Sequence, residues 1–153
     1  MADPLDNLVR TGQLVAEPTS RDEIERFLAN ARRLLEDASL ENLSVETRFL
    51  TAYAAAHALS LAAVRACGLR PSQSKGHRAL LFQVLAHTVD APTEIWTALN
   101  RFHTKRNKSE YEAFTAFTEA EARELFGLAK RIDALLRQRL AQRHPELLPK
   151  AKR

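Results

Sequence analysis

A helical pattern of alanines and large apolar residues runs through residues 44–67, SVETRFLTAYAAAHALSLAAVRAC. Gly68 and Pro71 follow it and are typical of a helix end. The alanines between Ala52 and Ala66 allow a neighbouring helix to approach closely, so this stretch is predicted to be the central helix of a bundle. Its broad apolar face consists of Leu50, Tyr53, Ala54, His57, Leu61 and Val64.

Further helices are predicted on both sides of this central one. Capping-box patterns at residues 20–23 (SRDE) and 118–121 (TEAE) begin two of them. A third contains His77 and the apolar residues up to Leu85, and a fourth follows residues 90–92. We therefore expect an all-α fold, an up-and-down bundle of four to five helices, with only helices between residues 20 and 143.

The length of 153 residues fits a single domain. Residues 1–18 are expected to be an N-terminal extension, in which residues 13–17 are a candidate extended segment. Residues 19–145 form the predicted bundle, and residues 146–153 are predicted to be a basic disordered tail.

Charge and cysteine content limit the possible partners and the location of the chain. Residues 123–153 hold nine Lys/Arg against three Asp/Glu, a net charge of +6 in a chain of net charge +4. Such a segment either binds phosphates or acidic partners or is a solvated helix face with a frayed tail. Because Cys67 is the single cysteine, no intramolecular disulfide forms. Without a signal peptide at residues 1–12 or an apolar run of about 20 residues, we expect a cytoplasmic protein with no membrane contact.

Arg106 occupies an unexpected position on the fourth predicted helix. Ile95, Leu99 and Phe102 define its apolar stripe, and the next step of that stripe is Arg106. A guanidinium directed toward a core is costly unless it is paired or lines a cleft. It either holds a phosphate or satisfies a buried carboxylate or the carbonyls of a broken helix end.

Arg106, Asn107 and Tyr111 are the candidate catalytic residues. The planar fork of Arg106 can hold a phosphate, Asn107 can orient the arginine or a ligand, and Tyr111 can supply a hydroxyl. In an unbroken helix Arg106 and Tyr111 diverge by about 140°, given 3.6 residues per turn. A site containing all three therefore requires a helix break near Lys108.

Basic residues in two segments are candidates for phosphate binding. One segment, KGHR at residues 75–78, lies at a predicted helix start where free N–H groups favour an anion; the alternative is a junction that needs a flexible glycine. No glycine-rich phosphate loop, cysteine pair or His-Glu-x-x-His motif is present, so no metal or cofactor is expected. The phosphate-binding candidates are Lys75, His77, Arg78, Arg101, His103, Lys105 and Lys108.

The order of these motifs resembles that of the HEPN superfamily of small helical bundles. Residues 48–57 (RFLTAYAAAH) resemble the second helix of bacterial members, and residues 68–71 with 75–78 resemble the junction to the third. Residues 105–111 (KRNKSEY) resemble their late arginine motif. The resemblance covers residues 22–139. It implies a homodimer and, in active members, a metal-independent ribonuclease, often a toxin with an antitoxin.

The family motif is an arginine, four to six residues and a histidine, and the chain matches only part of it. Arg106 and Asn107 match, but Tyr111 stands where the histidine is expected. Tyrosine, with a pKa near 10, is a poor base at neutral pH. His103 could substitute only if the fold turns it inward. We expect an RNA- or nucleotide-directed protein, either a ribonuclease toxin or a binding-only relative. The alternative is a non-catalytic module that binds an antitoxin or a nucleotidyltransferase.

Overall fold

The computed structural model describes residues 3–72, 77–113 and 116–149. Within them the chain is mostly helical, with seven α-helices and one two-stranded sheet. The predicted all-α character is confirmed. The narrower prediction, that residues 20–143 form only helices, was wrong, because residues 69–71 form a strand. The predicted third helix is also divided in two at Val84. The elements are α1 (Pro4–Arg10), β1 (Leu14–Ala16), α2 (Arg21–Ala38), α3 (Val45–Ala66), β2 (Leu69–Pro71), α4 (His77–Gln83), α5 (Leu85–Thr88), α6 (Thr93–Ser109), α7 (Glu119–Arg143) and a 3-10 turn (Pro145–Leu147).

Side-chain caps fix the starts of the long helices. The Thr118 hydroxyl accepts a hydrogen bond from the Glu121 N–H, and the Glu121 carboxylate accepts one from the Thr118 N–H, which completes the predicted capping box. Ser20 caps α2 in the same way through the Glu23 N–H, at 3.2 Å. There the box is half complete, because the Glu23 carboxylate binds Arg65 instead.

Two buried arginines show how the long helices run relative to one another. Arg65, at the end of α3, binds Glu23 at the start of α2 at 2.8 Å, so α2 and α3 are antiparallel. Arg48, at the start of α3, binds the carboxylate of Glu119 at the start of α7 through both Nη atoms, so α3 and α7 are parallel. Lys105, near the end of α6, reaches α7 close to its start and shows that α6 and α7 are antiparallel. Helices α2, α3, α6 and α7 therefore alternate in direction.

The centre of the fold is the alanine-rich side of α3, which packs against α2 and α7. This confirms that small side chains permit close helix approach. The broad face that periodicity marked as apolar is less buried, and Leu50 on it is 36 % exposed. The fully or nearly buried alanines are Ala52, Ala55, Ala56, Ala62, Ala63 and Ala66.

The N-terminal segment packs onto the bundle. β1 pairs antiparallel with β2, with Val15 opposite Arg70, which agrees with the extended segment expected at residues 13–17. Arg65, only 5 % exposed, donates hydrogen bonds to the backbone carbonyls that flank this pairing. A second apolar cluster ties α1 and β1 to α3 and α4. Its buried members are Leu5, Leu14, Val64, Leu81 and Val84.

The C-terminal end of the described chain is partly packed. Leu147 in the 3-10 turn is 8 % exposed, and Leu148 contacts the main core. The disordered tail predicted from residue 146 therefore began too early, because these leucines bury apolar surface. Residues 150–153, on which the rest of that prediction falls, lie outside the described residues.

Helix α3 is long and apolar enough to cross a membrane by length and composition alone. The expectation that no segment would reach this threshold was wrong. Most of its apolar window is nevertheless buried among the other helices. It therefore has the surroundings of a core helix in a soluble protein.

Candidate functional site

A pocket of about 590 Å³ lies where the less buried face of α3 meets α2, α4 and the end of α6. Its apolar wall includes Phe27, Leu34, Leu50 and Leu61. Both acidic and basic side chains reach it, so its chemistry depends on how these groups are paired. The polar lining residues are Asn30, Glu46, Tyr53, His57, Arg78, Arg106, Ser109 and Glu110.

Two guanidinium groups approach the ring of Tyr53. The Cζ atom of Arg106 is 5.3 Å from the centroid of the Tyr53 ring, and that of Arg78 is 6.0 Å from it. These are cation–π distances. Burial raises the pKa of the Tyr53 hydroxyl, and the two arginines oppose that shift. The hydroxyl therefore keeps its proton at neutral pH.

His103 and Asn107, one turn apart on α6, connect Tyr53 to Arg106. The Tyr53 Oη is 2.7 Å from the His103 Nδ1, and the His103 Nε2 is 3.2 Å from the Asn107 Nδ2. The Arg106 Nη1 donates to the Asn107 Oδ1 at 3.3 Å. Burial lowers the pKa of His103, with a further contribution from Arg106 and Arg78. The fold thus turns His103 inward, as its substitution for the motif histidine would require.

Arg106 occupies the position where the apolar stripe of α6 opens into the pocket. Its side chain is 23 % exposed, and its Nη2 lies 3.0 Å from the Glu110 Oε1. The partner carboxylate is half exposed rather than buried, and the helix continues through Ser109. The sequence left open whether Arg106 lines a cleft or satisfies a buried carboxylate or a broken helix end. In the structure it lines a cleft, and its carboxylate partner is partly exposed.

His57 is a neutral histidine in the wall of the pocket. Its Nε2 is buried and has no hydrogen-bond partner among the described residues. Burial, followed by the positive field of Arg78 and smaller effects of His77, Arg106 and His103, lowers the pKa of His57 to about 4. A bound ligand could supply the missing partner.

The phosphate-binding candidates divide into two groups. His77 and Arg78 lie beside the pocket, with the His77 ring 6.3 Å from that of His57. Arg101 and Lys105 face α7 and are paired with carboxylates there, Arg101 with Glu124 at 2.8 Å.

Of the other three candidates, His103 contacts Tyr53 as described above. Lys108 is exposed and does not line the pocket. Lys75 lies outside the described residues.

Tyr111 is separate from the other candidate catalytic residues. The helix break expected near Lys108 comes after Ser109, and Tyr111 is 86 % exposed beyond it. The pocket lining contains Tyr53 but not Tyr111. Sequence reasoning missed Tyr53 because it lies on a face classified as core. The signal available was Tyr53 and His57 one helical turn apart on that otherwise apolar face.

The donor set of the pocket suits an anion. Guanidinium and phenol groups donate hydrogen bonds, whereas metal ions require lone pairs. Among the described residues no group of three or more His, Cys, Asp or Glu side chains could hold a metal ion.

Comparisons with models of protein families, with curated proteins and with solved structures found no match.

Proposed function

We propose that this protein binds a phosphate group of RNA or of a nucleotide in the Tyr53 pocket, and that it acts by binding rather than by cleavage. The main support is the approach of Arg78 and Arg106 to one tyrosine ring in one open pocket. Guanidinium forks match phosphate oxygens. The HEPN resemblance of the motif order points to the same class of ligand.

The carboxylates of the pocket set the condition for this binding. Glu46 and Glu110 line the same space and offset the two arginine charges. The Arg106–Glu110 pair joins residues one turn apart, and its carboxylate is half exposed, so the pair is worth only about 0.3–0.5 kcal/mol. A phosphate can therefore replace Glu110 as the partner of Arg106.

The histidines of the pocket argue against cleavage. A general base works best when its pKa lies near the operating pH. The pKa of His57 is about 4, and both ring nitrogens of His103 are already engaged in hydrogen bonds. Neither is suited to deprotonate a ribose hydroxyl at neutral pH.

The apolar wall of the pocket supports a second candidate function, protein interaction. Leu50 is 36 % exposed on the pocket face of α3. We propose that this face pairs two copies of the chain, as the HEPN resemblance implies. A non-catalytic module that binds an antitoxin or a nucleotidyltransferase would use the same face.

Fluorescence anisotropy with labelled single-stranded RNA and with labelled nucleotides, both in EDTA, tests the main proposal. Arg106→Ala should weaken binding about 10-fold or more, because it removes a charge-assisted hydrogen bond worth about 1.5–3 kcal/mol. Its melting temperature should change little. Arg101→Ala is the matched control, since it removes an arginine of the same helix that faces α7.

Two results would contradict the proposal. Equal binding by both variants would remove Arg106 from the site, and a collapsed melting curve for Arg106→Ala would make that residue structural. Gel analysis of the incubated RNA decides separately between binding and cleavage. Shortened products that disappear in Arg106→Ala would show an active ribonuclease.

A further inference from the structure

The hydrogen bonds between Arg106 and Tyr53 have only one self-consistent direction. A guanidinium can only donate, so the Asn107 oxygen must face Arg106, at 3.3 Å. The Asn107 amide nitrogen then faces the His103 Nε2, at 3.2 Å, and donates to it. A neutral imidazole that accepts at Nε2 carries its proton on Nδ1.

This direction determines what the Tyr53 hydroxyl can do. The protonated His103 Nδ1 donates to the Tyr53 Oη, 2.7 Å away. Since that oxygen acts as the acceptor in this bond, the phenolic hydrogen remains available to another acceptor. Tyr53 lines the pocket but is only 3 % exposed, so a ligand must reach that hydrogen at the pocket wall beside Arg78 and Arg106.

We infer that Asn107 and His103 are positioning residues that hold His103 in its Nδ1–H form and thereby present the Tyr53 hydroxyl as a donor to a phosphate oxygen. The ligand part of this inference rests on the proposed function, whereas the tautomer does not. Together with Arg78 and Arg106, Tyr53 makes this end of the pocket a set of donors. An unprotonated phosphate oxygen fits such a set, and a group that itself donates does not.

Protonation of His103 would conflict with the same chain. A proton on its Nε2 would face the Asn107 amide group, and turning that amide would place its NH₂ against the Arg106 guanidinium. The groups around His103 also disfavour its protonation, because Tyr53 and His57 from α3 and Arg78 from α4 supply no negative charge. The lowered pKa of His103 agrees with this arrangement.

Long-range ¹H–¹⁵N NMR of the ligand-free protein tests the tautomer directly, with the His103 signals assigned by their loss in His103→Gln. We expect the Nδ1–H form at pH 7.5. In Asn107→Asp the carboxylate can only accept, so His103 should change to the Nε2–H form. An Nε2–H form in the unaltered protein would overturn the positioning role.

Titration with inorganic phosphate and with AMP tests the ligand part. Tyr53→Phe should weaken phosphate binding about 10-fold, since it removes one donor to a charged group. Asn107→Asp should weaken it by more than Thr104→Asp, which adds the same charge at an exposed position on α6. In the Tyr53→Phe background the excess effect of Asn107→Asp over Thr104→Asp should shrink, because the hydroxyl that Asn107 positions is then absent and only the pairing of the new carboxylate with Arg106 remains.

The outcomes separate this inference from the proposed function. The Nδ1–H form without binding of RNA, nucleotide or phosphate would refute the proposed function and the ligand part while the tautomer stands. Binding with His103 in the Nε2–H form would refute the positioning role alone. An excess effect of Asn107→Asp that is undiminished in the Tyr53→Phe background would likewise overturn it.

Discussion

His57 should make the stability of this protein depend on mild acid, and His57→Leu should remove that dependence. The pKa of this histidine falls from 6.5 to about 4 on folding. Between these values the unfolded chain holds a proton that the folded chain does not. The stabilising contribution that neutral His57 makes to the free energy of unfolding is therefore fully present above pH 6.5 and is lost as the pH falls toward 4.

The size of this effect follows from the shift. A difference of about 2.5 pKa units corresponds to at most about 3 kcal/mol, at 1.36 kcal/mol per unit. At pH 5 the loss relative to pH 7.5 is about 2 kcal/mol. For a chain of this length that lowers the melting temperature by about 4–8 °C. Leucine has a similar volume and no proton to gain, so the variant should lack this part of the loss.

Thermal denaturation followed by circular dichroism at pH 7.5 and pH 5.0 measures the difference. Comparing His57→Leu with the unaltered protein isolates the contribution of His57, because the carboxylates and His103 are present in both proteins. His87→Gln is the matched control, since His87 is exposed. If His57→Leu and the unaltered protein lose the same number of degrees between the two pH values, the argument from burial is refuted.

Other predictions concern the scaffold, the pocket and assembly. Arg65→Met should lower the free energy of unfolding by at least about 3 kcal/mol in chemical denaturation, because three backbone carbonyls each lose a hydrogen bond worth about 1 kcal/mol. The control Arg33→Met, at an exposed position, should cost little. Equal losses in the two variants would contradict the role of Arg65. Glu110→Gln should strengthen RNA or phosphate binding about two-fold in anisotropy or NMR titrations, since it removes a carboxylate that competes for Arg106 by about 0.3–0.5 kcal/mol. Weaker binding would count against displacement. Light scattering at tens of micromolar should give twice the 17.2 kDa chain mass for the unaltered protein and the mass of a single chain for Leu50→Glu. An unaltered protein that is monomeric would contradict pairing through the pocket face.

Much of the helical scaffold could be predicted because its signals are local. Ser20 and Thr118 cap helices through residues three positions on, and such patterns are visible in the sequence. The pairing of β1 with β2 joins segments more than 50 residues apart, and no local signal specifies it. The role of Arg65 was missed for the same reason, since its partners come from three separate parts of the chain.

The candidate site was only partly predictable. The stripe of α6 correctly marked Arg106 as unusual, because helical periodicity fixes its direction. Tyr111 lies beyond Ser109, where α6 ends, so helical periodicity does not fix its direction, and it is exposed. Tyr53 could not be singled out from the sequence because it belongs to the main core, at 3 % exposed, and also lines the pocket, which only tertiary packing forms.

The two faces of α3 should tolerate mutation very differently. Ala55, Ala56 and Ala62 are fully buried against neighbouring helices, where each added methylene overpacks the core at about 1–3 kcal/mol. On the pocket face, Leu50 and Leu61 adjoin open space, so a change of size there alters the cavity more than the scaffold. During evolution the backbone can therefore stay fixed while the shape of the pocket changes. Directed libraries aimed at a new ligand should vary that one face and leave every buried alanine unchanged.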